Sequence, residues 1–376
     1  MKLALLSGGY PPDFDAIGQY TRSLSEALTA LGHDVTVLTS TRRDVASEDG
    51  AIRVRGVFDP ACPKTLRALP EAVERAGVEW VVVQYNPFSF GPRGFCPQLP
   101  TALKTIQQRG IARVAVMFHE TCVPRWPLKC AVMWTWQIVQ FFRLCRETEM
   151  LFVATERWAM EVNRIPGASR PLLLPVGSNI PHCPLEKNQA REAAGIDPES
   201  FVVGIFGNNH PSRLLDWAGE AVRVLDRSVT AATGRGATLL YVGKDGATVR
   251  TFCKASHFRD EGPLSDEEVA VRLRTMDCLV APFSDGISAR RSSVIAGLLH
   301  NLPVMTTSSP WSDRLLLEHP LIFSTPVSAG PAAFAALGDG FHETCRRSFP
   351  AFDFEASPFG WMTAARKLAC SLSGSL

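Results

Sequence analysis

The sequence predicts an α/β protein made of two doubly wound, Rossmann-like domains, each a parallel sheet covered by helices. Three observations predict it. The chain has 376 residues, more than one ordinary core requires, so two domains are expected. Short apolar runs of strand length alternate with helix-period segments, and that alternation builds parallel sheets. A proline-rich stretch, Pro171 to Pro184 (PLLLPVGSNIPHCP), interrupts the alternation, which then restarts. The expected domains are residues 1–180 and 181–354, with a C-terminal helix, about 355–376, packing back on the first.

Each element has a local reason. Leu3 to Ser7 is an apolar strand. Within Tyr20 to Leu31, the apolar residues Leu24, Ala27, Leu28 and Leu31 recur at helical spacing, and Gly32 ends that helix. Val35 to Leu38 and Ile52 to Val57 read as the next strands. Trp80 to Val83, Val114 to Phe118 and Met150 to Ala154 are continuous apolar runs, as strands buried on both faces require. Cys130 to Cys145 is the stretch nearest to a membrane span, but it is too short, and Gln137, Gln140 and Arg143 break it at helical spacing. It is expected to be a helix with a wide buried face, with Trp134, Trp136, Phe141 and Phe142 in the core. The alternative is an interfacial helix, aided by Arg125, Lys129, Arg143 and Arg146.

Beyond the seam, Glu186 to Asp197 is helical, Val202 to Phe206 a strand, Leu214 to Leu225 a helix and Thr238 to Val242 a strand. A helix at Asp266 to Leu273 and a strand at Cys278 to Pro282 follow. The next segment, PFSDGISARRSSVIAGLLHNLPVMTT (Pro282 to Thr307), reads as turn, helix and strand. In α/β proteins such a unit holds phosphorylated ligands outside the carboxyl ends of the strands. Helix amides and the pair Arg290 and Arg291 make an anion cradle there. Pro358 to Leu372 is the closing helix.

Composition removes several functions. Hydrophobic residues make up 46% of the chain and charged residues 20%, the values of a folded globular protein. A formal net charge of +2 lacks the basic excess of a nucleic-acid binder, so no such partner is expected. The ten cysteines show no CxxC pair and no zinc spacing, which predicts free thiols in a reducing compartment. Ser7-Gly8-Gly9 and Pro11-Pro12 cut the first apolar run too short for a secretory core. A cytoplasmic location is expected, with peripheral contact at the inner membrane face and the oligomeric state left open. The turn SGGYPPDFDAIG is not a dinucleotide-binding turn, because two prolines break it and no helix starts on time. No G-x-x-x-x-G-K-[ST] and no G-x-S-x-G occurs.

The stretch SGGYPPDFDAIGQYTRSLSEALTALGHDVTVLT resembles the opening of family-4 retaining glycosyltransferases of the GT-B fold. VAVMFHE resembles that family's strand ending in a His-acid pair, here His119 and Glu120. PVGSNIP resembles its interdomain segment. GPLSDEEVAVRLRTMDCLVAPF followed by DGISARRSSVIAGLLHNLPVMTT resembles its nucleotide-binding half. The likeness implies two Rossmann-like domains facing across a cleft. It also implies transfer of a sugar from a nucleotide-diphosphate donor, bound by the second domain, to an acceptor bound by the first. That acceptor is a glycan, a lipid-linked or a small molecule. No cofactor beyond the donor and no metal is implied, and front-face attack lets the leaving phosphate take the acceptor's proton.

The resemblance assigns roles to residues. His119 hydrogen-bonds a hydroxyl or steadies charge near the donor sugar. Arg213 stands at the family's lysine position and contacts the diphosphate, while Asn208 replaces the family's arginine. Asp285 stands where the family has its first motif glutamate and approaches the sugar hydroxyls. The second glutamate is missing, its place being Ser293 or Ala296. Gly286, Ile287, Ser288, Arg290, Arg291, Ser292 and Ser293 form the diphosphate turn. The two serines contact phosphate or cap the helix, and which arginine faces phosphate stays open. Leu264 lies near the nucleobase, and Ala16, Ile17 and Gly18 form a loop approaching donor or acceptor. A guanidinium about 4 Å from a phosphate oxygen is worth roughly 4 kcal/mol at an effective dielectric near 20. Two rival readings remain: a noncatalytic nucleotide-sugar-binding protein, and a phosphorylase-like enzyme.

Overall fold

A computed structural model of the chain describes residues 1–13, 15–40, 47–347, 349 and 353–374. It divides into two compact units, Met1–Gly177 with Glu355–Leu376, and Ser178–Phe354.

The first unit holds strands β1 (Lys2–Leu6), β2 (Asp34–Ser40), β3 (Ser47–Asp49), β4 (Ile52–Phe58), β5 (Trp80–Tyr85), β6 (Arg113–Phe118), β7 (Met150–Val153) and β8 (Leu172–Leu173). They form one sheet in the order β3-β4-β2-β1-β5-β6-β7-β8. The central pairs are parallel, with Leu3 opposite both Val35 and Trp80, while β3 joins β4 antiparallel at the edge. The direction of strand addition reverses between β1 and β5. Loops leaving the carboxyl ends of those two strands diverge there and leave the kind of crevice in which α/β proteins bind ligands. The strand WVVVQY is buried throughout, as the apolar run Trp80 to Val83 predicts, and the burial extends over Gln84 and Tyr85.

Helix α1 (Ala16–Ala30) starts earlier than the apolar periodicity suggests. Asp15 causes this: its carboxylate accepts from the amides of Ile17 at 3.3 Å and Gly18 at 3.1 Å, satisfying donors that a helix start leaves unpaired. Ala16, Ile17 and Gly18, expected in a loop, are therefore the first turn of α1. Gly18 lets the chain pass closely there, since an added Cβ would lie 3.0 Å from the Gly9 carbonyl.

Helix α2 (Leu128–Glu147) inverts the expectation for its faces. Gln137 and Gln140 are buried. The Gln137 amide accepts from Val123 N at 2.9 Å and donates to Arg93 O at 3.2 Å. The Gln140 amide accepts from Cys96 N and donates to Gly94 O at 2.8 Å. The glutamines thus satisfy the backbone of an irregular loop, and apolar residues occupy the outward stripe. Of the four aromatics expected in the core, Phe141 is buried, Trp134 and Trp136 are half-buried, and Phe142 is exposed.

The second unit holds β9 (Val202–Phe206), α3 (Leu215–Thr233), β10 (Thr238–Val242), β11 (His257–Asp260), α4 (Asp266–Thr275), β12 (Cys278–Ala281), α5 (Ser292–Leu299), β13 (Val304–Ser308) and β14 (Ile322–Pro326). Its sheet order is β11-β10-β9-β12-β13-β14, with parallel pairs throughout. This sheet reverses between β9 and β12. The closing helix α6 (Trp361–Ser373) belongs to the first unit, where the Trp361 ring meets Tyr20 at 5.2 Å. All ten cysteines are free thiols.

Candidate functional site

The loops leaving β9 and β12 are zipped together at the second unit's switch point. Leu214 N donates to Pro282 O at 3.1 Å and Ser284 N to Ser212 O at 2.8 Å, making an antiparallel bridge of Arg213 with Phe283. Two guanidinium groups then flank one phenyl ring: Arg291 lies 4.1 Å and Arg213 5.4 Å from the Phe283 centroid.

Arg213 spends one donor at home, from Nη2 to Phe206 O at 2.8 Å. Its Nε and Nη1 are shielded from water and have no hydrogen-bond partner among the described residues. Burial lowers its pKa. A buried cation with two unmade donors costs free energy unless those donors find an acceptor. Arg291 is more committed: Nη1 donates to Ser212 Oγ at 3.0 Å and Nη2 to Asp285, leaving Nε unpartnered. Burial pushes Arg291 down to about 10, so it stays cationic at neutral pH. Arg290 is the more exposed of the pair and donates to the other Asp285 oxygen at 2.7 Å.

Asp285 therefore sits between both arginines. Burial would raise its pKa, but the two guanidinium charges outweigh that and hold it below the ordinary carboxylate range. Asp285 thus pairs with both Arg290 and Arg291, while Arg213 has no carboxylate partner among the described residues. The Ser288 hydroxyl is buried here without a partner among the described residues. Gly207, at φ 100°, keeps the wall open, since an added Cβ would lie 3.2 Å from Arg213 Nη2 and 3.8 Å from Ser293 Cβ.

Helix α5 opens beside them with Arg291 as its N-cap and no side-chain capping bond. Neither serine caps it: Ser292 is exposed and Ser293 is buried. The turn itself is rigid, with Ile287 N bonded to Thr307 O at 3.0 Å and Gly286 at φ 75°. Asn208 ties loops together by accepting from Lys244 N at 3.1 Å. Leu264 is half-buried just before α4, in the loop where the Gly262 carbonyl accepts from Gly243 N at 3.0 Å. That places it on the β10–β11 side of the cradle.

In the first unit, His119 follows β6 and is 9% exposed. Its backbone N donates to Tyr85 O at 2.9 Å, and its Nε2 lies 2.9 Å from Gln84 Oε1. Tyr20 packs edge-on at 4.6 Å. Burial pushes the imidazole down to about 3, so it is neutral at physiological pH. Its chemistry is hydrogen bonding, not positive charge. With Nε2–H donated to Gln84, the Nδ1 lone pair is left to accept from a hydroxyl. Glu120 is exposed, and the group that holds the ring is Gln84. Reasoning from sequence missed Gln84, although an amide inside an apolar strand run is itself a signal, because buried polar groups need partners.

Arg213, Asp285, Arg290 and Arg291 thus lie on the loops that follow β9 and β12, with the Arg213 and Arg291 guanidinium groups over the Phe283 ring. Leu264 is apart from that cluster, and His119 and Ala16 to Gly18 belong to the other unit.

No protein-family description matches this sequence, and no curated protein is similar to it. Solved structures share its fold. Sucrose-phosphate synthase from Thermosynechococcus elongatus aligns at TM-score 0.66 and 15% identity, covering 100% of this chain and 99% of that one. WaaG, a glycosyltransferase involved in lipopolysaccharide biosynthesis, aligns at 0.65 and 14%, covering 99% and 100%. The UDP-GlcNAc 2-epimerase of Methanocaldococcus jannaschii aligns at 0.58 and 10%, covering 100% of both. The chain has the GT-B fold of glycosyltransferases, two Rossmann-like domains. An epimerase on the same fold shows that the architecture alone does not name the reaction.

Proposed function

We propose that the protein is a retaining glycosyltransferase of the family-4 type, moving a sugar from a nucleotide-diphosphate donor to an acceptor hydroxyl. The observation that carries this is the buried, unpartnered donor set of Arg213 and Arg291 at the β9–β12 switch point. Those donors suit a diphosphate. As the bond from the anomeric carbon to phosphate breaks, negative charge grows on the leaving oxygen, and preorganised cations are worth most at that moment. The acceptor oxygen bonds to the anomeric carbon on the same face, and its proton passes to the departing diphosphate. Guanidinium groups supply the positive charge, so turnover is expected to survive a chelator. His119 serves as a neutral hydrogen-bond acceptor for a hydroxyl near the donor sugar.

The acceptor is proposed to be lipid-linked and met at an anionic membrane face. Leu128, Val132, Thr135, Val139, Phe142 and Arg146 fall on one outward stripe of α2, and all are exposed. Trp126, 81% exposed, precedes it, and Arg125 and Lys129 add charge. No described helix is long and apolar enough to cross a membrane, so contact would be peripheral.

The test is transfer and hydrolysis over UDP-, GDP-, ADP- and dTDP-sugars, comparing wild type with His119→Ala and Arg213→Met. Donor-dependent turnover lost in both variants supports the reading. Binding without turnover favours the noncatalytic alternative, and phosphate-dependent release of sugar phosphate favours the phosphorylase.

A further inference from the structure

A pyranose presents hydroxyls around its rim and an apolar C–H face, so a site for one pairs a polar side chain with an aromatic ring. The second unit carries that pair on one rigid support. The turn after β13, Ser309 to Asp313, is laced to the Asp285–Ala289 turn. Ser309 Oγ donates to Asp285 O at 2.6 Å and accepts from Trp311 N at 3.0 Å. Asp313 Oδ2 accepts from Ala289 N at 2.6 Å, and Asp313 N donates to Ile287 O at 3.1 Å. Gly286 allows the close approach, because an added Cβ would lie 2.3 Å from Ser312 Oγ. One hydroxyl, Ser309, therefore fixes the backbone of Asp285 relative to that of Trp311.

Trp311 is 45% exposed, while Trp217 of the same unit is 8% exposed and packed in the core. The Asp285 side chain is 26% exposed. Its two oxygens each take one arginine, which leaves lone pairs for sugar hydroxyls. The sheet order sets direction. A diphosphate held between β9 and β12 carries its nucleoside on one side and its sugar on the other. Leu264 lies toward β11, and Trp311 follows β13 on the opposite side.

We infer that Trp311 is the stacking platform for the donor's sugar ring, held in register with Asp285 by Ser309. This rests on the donor reading above and adds a specificity-determining residue to it.

The experiment measures affinity for pyrophosphate, for UDP, GDP, ADP and dTDP, and for their glucose conjugates, in wild type, Trp311→Ala and Trp311→Phe. Trp311→Ala is expected to weaken the preferred glucose conjugate about tenfold and to leave pyrophosphate and the bare nucleotide within about twofold. Trp311→Phe restores most of the loss. Retained pyrophosphate binding also shows that the variant is folded. Equal weakening of nucleotide and conjugate, or no weakening of the conjugate, overturns the assignment. If wild type binds neither pyrophosphate nor any nucleotide, the cation cradle fails first, and the platform falls with it.

Discussion

Replacing Arg213 with methionine separates a binding residue from a structural one, because the two roles predict opposite signs. Methionine keeps the apolar stem and removes the guanidinium. Among the described residues that group makes one hydrogen bond, to Phe206 O at 2.8 Å, and its Nε and Nη1 are buried and unpaired. A bond from a charged donor is worth about 1.5–3 kcal/mol, and each unmade buried donor costs about 1–3 kcal/mol. The balance favours methionine by about 1 kcal/mol. For a unit of this size that is a rise in melting temperature of about 2–4 °C. With ligand present the sign reverses. Two charge-assisted bonds to phosphate oxygens are lost, about 3 kcal/mol or more, which weakens a nucleoside diphosphate more than about 100-fold. Differential scanning calorimetry, with and without pyrophosphate and each nucleoside diphosphate, reads both effects. A variant that melts several degrees lower and keeps its ligand-induced shift would refute the reasoning and make Arg213 a structural residue.

Other outcomes follow from the same geometry. Gln84→Glu places a carboxylate against His119 Nε2 and raises the imidazole pKa, so activity that is flat from pH 6 to 8 in wild type should rise with pH in the variant. A flat profile in both would show that Gln84 does not set the state of His119. His119 and His300 are held down to about 3 and about 4 by burial. The unfolded chain takes up protons near 6.5, so it binds more of them than the folded one at mildly acid pH. Stability is therefore complete above about pH 6.5 and falls as pH drops toward 4 and 3, each unit losing about 2 kcal/mol by pH 5. Urea midpoints at pH 7 and 5 check this, and His300→Gln should flatten the slope of the second unit. Leu128→Ser with Val139→Ser should abolish cosedimentation with phosphatidylglycerol vesicles and leave hydrolysis of the soluble donor unchanged; retained cosedimentation counts against the α2 face.

The sheets were legible because β1, β5, β9 and β12 are continuous apolar runs bounded by turn residues. The turn that carries Arg290 and Arg291 was legible because it lies just beyond a buried apolar run and opens an amphipathic helix. What escaped carries no signal in the hydrophobic period. The start of α1 is set by the Asp15 carboxylate, which a hydrophobic period cannot see. The glutamines of α2 look like a solvent face until the irregular loop at Arg93 to Cys96 supplies their partners. β11 and β14 lie at sheet edges, where half-exposed residues weaken the apolar signal. Gln84 and Trp311 gain meaning only from groups brought near by the fold, His119 in one case and the Asp285 turn in the other.

The most direct test is single-turnover reaction of wild type, Arg213→Met and His119→Ala with the nucleotide sugar whose nucleotide stabilises the protein most, run with EDTA present. The account predicts release of nucleoside diphosphate by wild type, with the sugar's anomeric configuration kept in the product, and a loss of more than about tenfold in each variant. Equal rates in all three proteins, or a product of inverted configuration, would contradict it.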